Sequence, residues 1–169
     1  MSEKILEIQD ERLSFFTPAG EVKALNGVSF SMNQGDVLGI VGESGSGKSV
    51  TAYSIMGLTA YPGRLVGGKI WFNGHQIDEM SEKEFRKIRG NEVSIIFQDP
   101  MTSLNPVYTI GNQIVEVILL HTKKSKKEAW ERAKELLELV GINEPERRLK
   151  QYPHELSGGM RQRVMIAIA

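Results

Sequence analysis

The feature that most constrains this chain is the segment Gly42-Glu43-Ser44-Gly45-Ser46-Gly47-Lys48-Ser49, which fits the pattern G-x-x-x-x-G-K-[ST] at every fixed position. The run before it, Val37 to Val41, is almost entirely apolar. Such a run predicts a short strand buried on both faces of a parallel sheet. A helical stretch is expected from the end of the motif to about Met56. A strand, a glycine-rich loop and a helix in this order predict an α/β fold.

The residue types of this loop indicate phosphate binding. Glycines let the backbone curl so that successive N–H groups point at phosphate oxygens, and the helix that follows adds the positive end of its dipole. Lys48 is expected to reach the β- and γ-phosphates, and the Ser49 hydroxyl suits Mg²⁺. The loop alone also fits kinases, GTPases and other ATPases, or a plain turn between strand and helix. The predicted nucleotide-binding residues are Gly42, Glu43, Ser44, Gly45, Ser46, Gly47, Lys48, Ser49 and Val50.

Strands are predicted mainly in the first part of the chain. Strand-forming residues open it, up to about residue 41, and a second buried-type strand is expected at Val93 to Phe97. Residues 57–69 contain four glycines and one proline, which predicts a loop. A short hairpin with an Asn73-Gly74 turn should follow it.

Helices are predicted mainly after residue 98. Apolar residues share one helical face from Ile110 to Ile118, and a further helix should follow the capping box of Ser125 with Glu128. A last helix should start at Ser157. Earlier in the chain, Ser81 with Glu84 is another capping box. Strands first and helices second predict an α/β core with a helical insertion.

Composition narrows the class of protein. The chain has 169 residues, no cysteine, and 21 Lys+Arg against 21 Asp+Glu. This length supports a core without disulfides, and the absence of cysteine excludes disulfides and cysteine zinc sites. Balanced charge argues against a nucleic-acid partner, because affinity for a phosphate backbone comes from Lys and Arg. No apolar run reaches the roughly 18 residues of a membrane span, so a soluble cytoplasmic domain is expected.

Two later segments resemble known motifs. Leu156-Ser157-Gly158-Gly159-Met160-Arg161-Gln162-Arg163 resembles the signature sequence of ABC-transporter ATPases, and Ile96-Phe97-Gln98-Asp99-Pro100 resembles that family's Q-loop. Their order is also that of the family, since Gln98 follows Lys48 by 50 residues and Ser157 follows Gln98 by 59. The chain resembles the oligopeptide/dipeptide importer branch of this family at residues 39–49, 98–106 and 156–169. Nickel importers and antibiotic-peptide importers share the same sequence pattern.

The resemblance implies a fold and a division of the chain. By this resemblance, the chain is similar to an α/β P-loop NTPase (RecA-like) core with an N-terminal antiparallel β subdomain and an inserted α-helical subdomain. We expect residues 1–97 to form the nucleotide-binding core, residues 98–160 the helical subdomain with Q-loop and signature, and residues 161–169 the start of the helix that returns to the core.

The resemblance also implies roles for individual residues. In the family two ATPase subunits close head to tail around ATP, so the signature residues Ser157, Gly158 and Gly159 would contact the γ-phosphate held by the partner's Lys48. A plain helix cap is the alternative. Gln98 would touch Mg²⁺ or its water and relay the nucleotide state, or else be a strand-end glutamine bonded to the backbone. Lys48 and Gln98 are thus the expected catalytic residues, and Ser49 and Gln98 the expected metal ligands.

Two positions depart from the family pattern. Met160 stands where the commonest signature has glutamine, although methionine occurs in the peptide branch. The aromatic residue that stacks on adenine is expected to be Phe16, with Phe15 as a second candidate. A gap-free comparison instead places Ala19 there, and either phenylalanine alternatively belongs to the core.

The end of the chain sets a further expectation. The family continues past the signature into an acidic strand with the catalytic Glu, and then to a catalytic His, and neither is found before Ala169. Asp99, after an apolar run, is a poor substitute because the acid is one residue late and a proline follows. We therefore expect an N-terminal part of a longer ATPase, incomplete at the C-terminus and inactive alone.

The implied function is that of the ATP-binding subunit of an importer, with ATP and Mg²⁺ as cofactors. Its partners would be transmembrane permease subunits, a second ATPase subunit and, indirectly, an extracytoplasmic solute-binding protein. It would lie peripherally on the cytoplasmic face of the membrane, with residues 100–121 as the docking surface. The cargo would be peptides or a small solute such as nickel. Alternatives are a non-hydrolysing nucleotide-binding or dimerisation module, and a soluble ABC-type ATPase acting on DNA or ribosomes.

Overall fold

Residues 4–99 and 103–169 are described by a computed structural model. They divide into two units, Met1–Arg89 and Gly90–Ala169. The boundaries expected at residues 97 and 160 remain predictions. Within the described part of the chain, no helix combines the length and the apolar character needed to cross a bilayer.

The first unit is built on an antiparallel sheet. Its strands are β1 (Lys4–Thr17), β2 (Gly20–Asn33), β3 (Gly63–Phe72) and β4 (His75–Gln76), in the order β2-β1-β3-β4. The predicted Asn73-Gly74 hairpin turn is confirmed, with both residues at positive φ (51° and 78°) as a type I′ turn requires. The β subdomain predicted at the N-terminus is therefore present.

The loop predicted at residues 57–69 is wrong in its second half, because β3 begins at Gly63. β1 is long enough to pair with β2 on one edge and β3 on the other, and this pairing offsets the weak strand preference of glycine. Gly68 has a structural reason of its own: at φ +89°, a Cβ there would lie 2.5 Å from the Asp10 carbonyl oxygen. Glycine marks close strand contact here, not a loop.

A bulge in β1 buries a carboxyl group. The pairing shifts register on both sides of Glu11, so this side chain turns to the buried face and is 0% exposed. Neither carboxyl oxygen makes a hydrogen bond of acceptable geometry, and the nearby Ser54 hydroxyl donates to the Thr51 carbonyl at 2.8 Å. Burial raises the pKa of Glu11 above its ordinary 4.5; Asp78 adds to the rise and Ser54 opposes it.

This raised pKa predicts a pH dependence of stability. The folded protein binds the Glu11 proton more tightly than the unfolded chain does, so protonation of Glu11 adds to the free energy of unfolding. This contribution is complete below pH 4.5 and is lost as pH rises through the pKa of Glu11 in the folded protein. Glu11→Gln should flatten this part of the curve of unfolding free energy against pH, measured by urea titration. Glu21→Gln, at an exposed β2 position, is the control. If the curves of unfolding free energy against pH are parallel for the parent and Glu11→Gln, the pKa of Glu11 is not raised in the folded protein.

Two helices complete the first unit. Helix α1 (Lys48–Ile55) follows the glycine-rich loop, as predicted, and its C-cap is Met56. Helix α2 (Glu82–Ile88) has the predicted capping box: Ser81 accepts from the Glu84 N–H, and the Glu84 carboxylate accepts from the Ser81 N–H at 2.9 Å. Phe85 and Ile88 are its buried residues.

The second unit is helical. It contains α3 (Ile110–His121), α4 (Lys126–Leu139), α5 (Pro145–Arg148), a 3₁₀ turn (Pro153–Glu155) and α6 (Gly158–Ile168). The core residues with no exposed surface come from three of these helices: Ile110, Ala129, Ala133, Leu137 and Val164. The helices predicted behind Ser125 and Ser157 are confirmed, with both serines as N-caps.

The two buried strands predicted at residues 37–41 and 93–97 are wrong for the described chain. Neither run belongs to the sheet, and both are open to solvent: Val37 is 99% exposed, Val41 93% and Ile96 49%. A strand of a parallel sheet is defined by neighbours that pair its N–H and C=O groups. The described residues supply no such parallel neighbour to either run.

Candidate functional site

The glycine-rich loop contains two glycines at positive φ, a backbone conformation that strains other residues. Gly47 has φ +92°, and a Cβ there would lie 2.7 Å from a Leu25 methyl carbon and 3.0 Å from the Ala24 carbonyl oxygen. Gly45 also has positive φ, at +81°. The loop therefore curls and packs closely against β2, as a phosphate cradle requires.

The Lys48 side chain folds back over this loop. Its ammonium group donates to the carbonyl oxygens of Gly42 (2.8 Å) and Glu43 (2.7 Å). The Ser46 hydroxyl is 3.4 Å away. The one cationic side chain of the predicted set thus lies inside the curl of the loop, where the charge of a bound phosphate is expected.

The start of α1 favours an anion. Its N-cap is Gly47, which offers no side chain to the first-turn amides, and the first turn contains no acidic residue but begins with Lys48. Among the described residues, four other helices are capped by hydroxyl side chains, those of Ser81, Thr109, Ser125 and Ser157. A cation at the positive end of a helix dipole is unfavourable unless an anion lies beside it. The uncapped amides and the lysine therefore suit a phosphate group.

The donor set at this loop also fits Mg²⁺ bound together with phosphate. Ser49, the second residue of α1, is exposed and supplies one hard oxygen. Residues 4–99 and 103–169 contain no cluster of three His, Cys, Asp or Glu side chains that would hold a metal ion by protein ligands alone. Mg²⁺ in phosphate sites commonly has one or two protein ligands, with phosphate and water oxygens completing the shell.

Gln98 lies in the second unit, on an exposed segment without regular secondary structure. It was expected at a strand end, and the strand is not formed. Nearby, the Ser103 hydroxyl donates to the Asp99 carbonyl oxygen at 2.7 Å. Pro100, Met101 and Thr102, which belong to the resemblance and to the expected docking surface, lie outside the described residues.

The signature segment forms a capped helix start with open glycines. Ser157 accepts a hydrogen bond from the Met160 N–H at 3.3 Å. A Cβ at Gly158 or Gly159 would meet nothing within 4 Å. Arg161 holds the preceding turn by donating to the carbonyl oxygens of Pro153 (2.7 Å) and Leu156 (3.0 Å). The second unit itself therefore places no steric demand for glycine at either position.

Phe16, the candidate for stacking on adenine, already contacts an arginine side chain. The Phe16 ring is 36% exposed, and the Arg64 guanidinium carbon lies 4.0 Å from its centroid. Phe15 is half-buried and packs closely against Gly63, where a Cβ would lie 2.6 Å from its ring. Phe16 as the adenine platform stays a prediction.

Comparison with known families decides among the phosphate-loop proteins. The family model described as "ABC transporter" matches residues 25–169, most of the chain including the loop, Gln98 and the signature. The chain belongs to the ABC transporter family. This confirms the resemblance expected from the motifs, whereas the roles of the individual site residues stay predictions.

Curated members of the ABC transporter family are similar along nearly the whole chain. The oligopeptide transport ATP-binding protein OppD of Escherichia coli (strain K12) is 52% identical over 168 residues, which are 99% of this chain and 50% of that protein. The dipeptide transport ATP-binding protein DppD of Bacillus subtilis (strain 168) is also 52% identical over 168 residues, again 99% and 50%. The chain spans about half the length of these relatives.

A solved ABC cassette confirms the fold. The cassette MJ0796, described as a dimeric post-hydrolysis state bound to ADP and Pi, superposes with a TM-score of 0.85 at 25% identity. The match covers 96% of this chain and 68% of that one. The predicted α/β phosphate-loop fold class, with its N-terminal antiparallel sheet and helices, is therefore confirmed.

Proposed function

We propose that this chain is the nucleotide-binding part of an ATPase subunit that drives peptide uptake through membrane-embedded permeases. The observation that carries the proposal is the start of α1: a curled glycine loop, first-turn amides without a side-chain cap, and Lys48 folded into the loop. That arrangement suits the phosphates of ATP. The names of the similar oligopeptide and dipeptide transport proteins support peptides as the cargo, and a related small solute such as nickel is the finer alternative.

Within this function each predicted residue has one task. Lys48 and the loop amides bind the phosphates, Ser49 supplies an oxygen to Mg²⁺, and Gln98 contacts the Mg²⁺ shell. Phe16 provides the adenine platform. In the head-to-tail dimer, Ser157, Gly158 and Gly159 approach the γ-phosphate on the partner. The open space around both glycines supports such an approach.

The proposed partners follow from the same function. Permease subunits would hold the protein at the cytoplasmic face of the membrane, and a solute-binding protein outside would present the cargo to them. The segment at residues 103–121, which exposes Val107 (72%) and Tyr108 (54%), is the proposed docking surface.

Two measurements test the proposal. Mg·ATP should bind the purified protein, and the protein isolated from its own cells should carry hydrophobic membrane subunits and hydrolyse ATP in single-turnover assays. Binding without turnover, and without membrane subunits, would instead support a non-hydrolysing module. Co-isolation with DNA or ribosomes would contradict transport.

A further inference from the structure

The C-terminal end of α1 is held by an arginine from a distant part of the sequence. Arg89 donates from Nε to the Met56 carbonyl oxygen at 3.0 Å and from Nη2 to the Gly57 carbonyl oxygen at 3.3 Å. Met56 is the C-cap of α1, and Gly57 follows with φ +60°. One guanidinium thus joins both residues that end the helix beginning at Lys48.

These two carbonyls lie just beyond the hydrogen bonds that close the helix itself. The N–H groups of Gly57 and Leu58 bond back to the carbonyls of Ser54 (2.9 Å) and Tyr53 (2.8 Å), which is a Schellman closure. The carbonyls of Met56 and Gly57 lie beyond that closure. Arg89 supplies donors to them and places a positive charge at the negative end of the helix dipole.

The guanidinium is fixed from its other side as well. Its Nη1 donates to a Glu82 carboxylate oxygen at 3.1 Å, and its carbon lies 4.8 Å from the Phe85 ring centroid. The Arg89 side chain is only 23% exposed. Three donor nitrogens and a ring contact are used at once, which a planar guanidinium permits and an ammonium does not.

Helix α1 is short and little of it is fully buried. It has eight residues, of which only Thr51 is buried, with Met56 buried at its C-cap. A short helix is only marginally stable by itself, so tertiary contacts that hold one of its ends contribute to its position. Its N-terminal end lies close to β2 at Gly47 but has no side-chain cap, whereas its C-terminal end is held by two hydrogen bonds from Arg89.

We propose that Arg89 is a positioning residue for nucleotide binding, which clamps the C-terminal end of α1 to α2 and thereby orients Lys48 and the first-turn amides toward phosphate. The inference rests on the proposed function of the loop. Arg89 is also the last residue of the first unit, so the clamp lies where the chain leaves this unit on its way to Gln98.

A neighbouring arginine provides a matched control. Arg86, on the same helix, donates to the same Glu82 oxygen at 3.2 Å, and its side chain is 75% exposed. Within the described part of the chain, the Arg86 side chain bonds to Glu82 and not to α1. Arg86→Ala therefore removes the same charge and the same ion-pair partner while leaving the clamp intact.

The test measures Mg·ATP affinity and amide hydrogen exchange, at a temperature where every variant is folded. Arg89→Ala should bind ATP about tenfold more weakly, by analogy with the roughly 10- to 100-fold loss when a residue that orients a metal ligand is removed. In Arg89→Ala, amide exchange should rise at residues 48–56 and not in the β1–β2 hairpin. Arg89→Lys should also bind ATP more weakly, because lysine lacks the several donor nitrogens of the planar guanidinium. Arg86→Ala should match the parent in both ATP affinity and amide exchange.

The outcomes separate this inference from the proposed function. A parent protein without ATP affinity defeats the proposed function, and exchange at residues 48–56 still reports whether the clamp exists. A parent that binds ATP, with an Arg89→Ala variant that binds equally well and exchanges alike, overturns the positioning role alone. If Arg89→Ala does not fold, Arg89→Lys decides: parental affinity in that variant overturns the role, and weakened affinity supports it.

Discussion

Lys48→Ala is expected to abolish ATP binding and leave the fold intact. The ammonium group is the only side-chain cation of the predicted phosphate-binding residues, and it already lies within the loop, 2.8 Å and 2.7 Å from the carbonyl oxygens of Gly42 and Glu43. Its loss removes the charge-assisted contacts to the β- and γ-phosphates, each worth about 1.5–3 kcal/mol. A fall in affinity of two orders of magnitude or more follows.

Isothermal titration with Mg·ATP measures this directly. Lys83→Ala is the control, since it removes an equal charge from an exposed position of α2. Thermal unfolding should be nearly unchanged in both variants, because the side-chain hydrogen bonds of Lys48 to Gly42, Glu43 and Ser46 are all within its own loop. Parental ATP affinity in Lys48→Ala would overturn the assignment of the phosphate site.

Gly158→Ala is expected to separate stability from activity. A Cβ at this first residue of α6 meets nothing within 4 Å, so the second unit gains helix preference without a clash, by less than the roughly 0.5–1 kcal/mol of a helix interior. If the glycine serves the approach of a γ-phosphate from the partner, the added methyl displaces the amide donors from the anion. Loss of one such donor costs roughly a hundredfold in rate.

Thermal unfolding and ATP turnover, measured on the same preparations of the protein isolated from its own cells with its partner subunits, test this pair of effects. Lys126→Ala introduces alanine at the corresponding first residue of α4 and serves as the control, with parental turnover expected. A Gly158→Ala protein that is more stable and equally active would show that the signature glycine does not contact phosphate.

Local sequence patterns were sufficient to predict many of the turns and helix starts. The capping boxes at Ser81 and Ser125 and the cap at Ser157 are confirmed, because a cap depends on residues three positions apart. The Asn73-Gly74 hairpin turn is confirmed for the same reason: its backbone angles follow from two adjacent residues. The glycine-rich loop and the start of α1 likewise follow from one short segment.

Patterns of burial were a weaker guide. The apolar run at residues 37–41 has the composition of a buried strand, yet it is exposed in the described chain because pairing requires neighbours that a local pattern does not contain. Residues 63–69 have the glycine content of a loop, yet they pair with β1. In both cases the partner strand, not the segment, decided the structure.

The sequence by itself determined the phosphate loop, the order of the motifs and most helix starts, since these depend on residues close together in the chain. Tertiary structure alone decided the burial of Glu11, which a bulge in β1 turns inward. It also decided the clamp on α1, where Arg89 meets carbonyls 33 and 32 positions away. The physical reason is common to both: a bulge and a long-range hydrogen bond are set by how separate segments pack together, and neither leaves a periodic signal in the residues that form it.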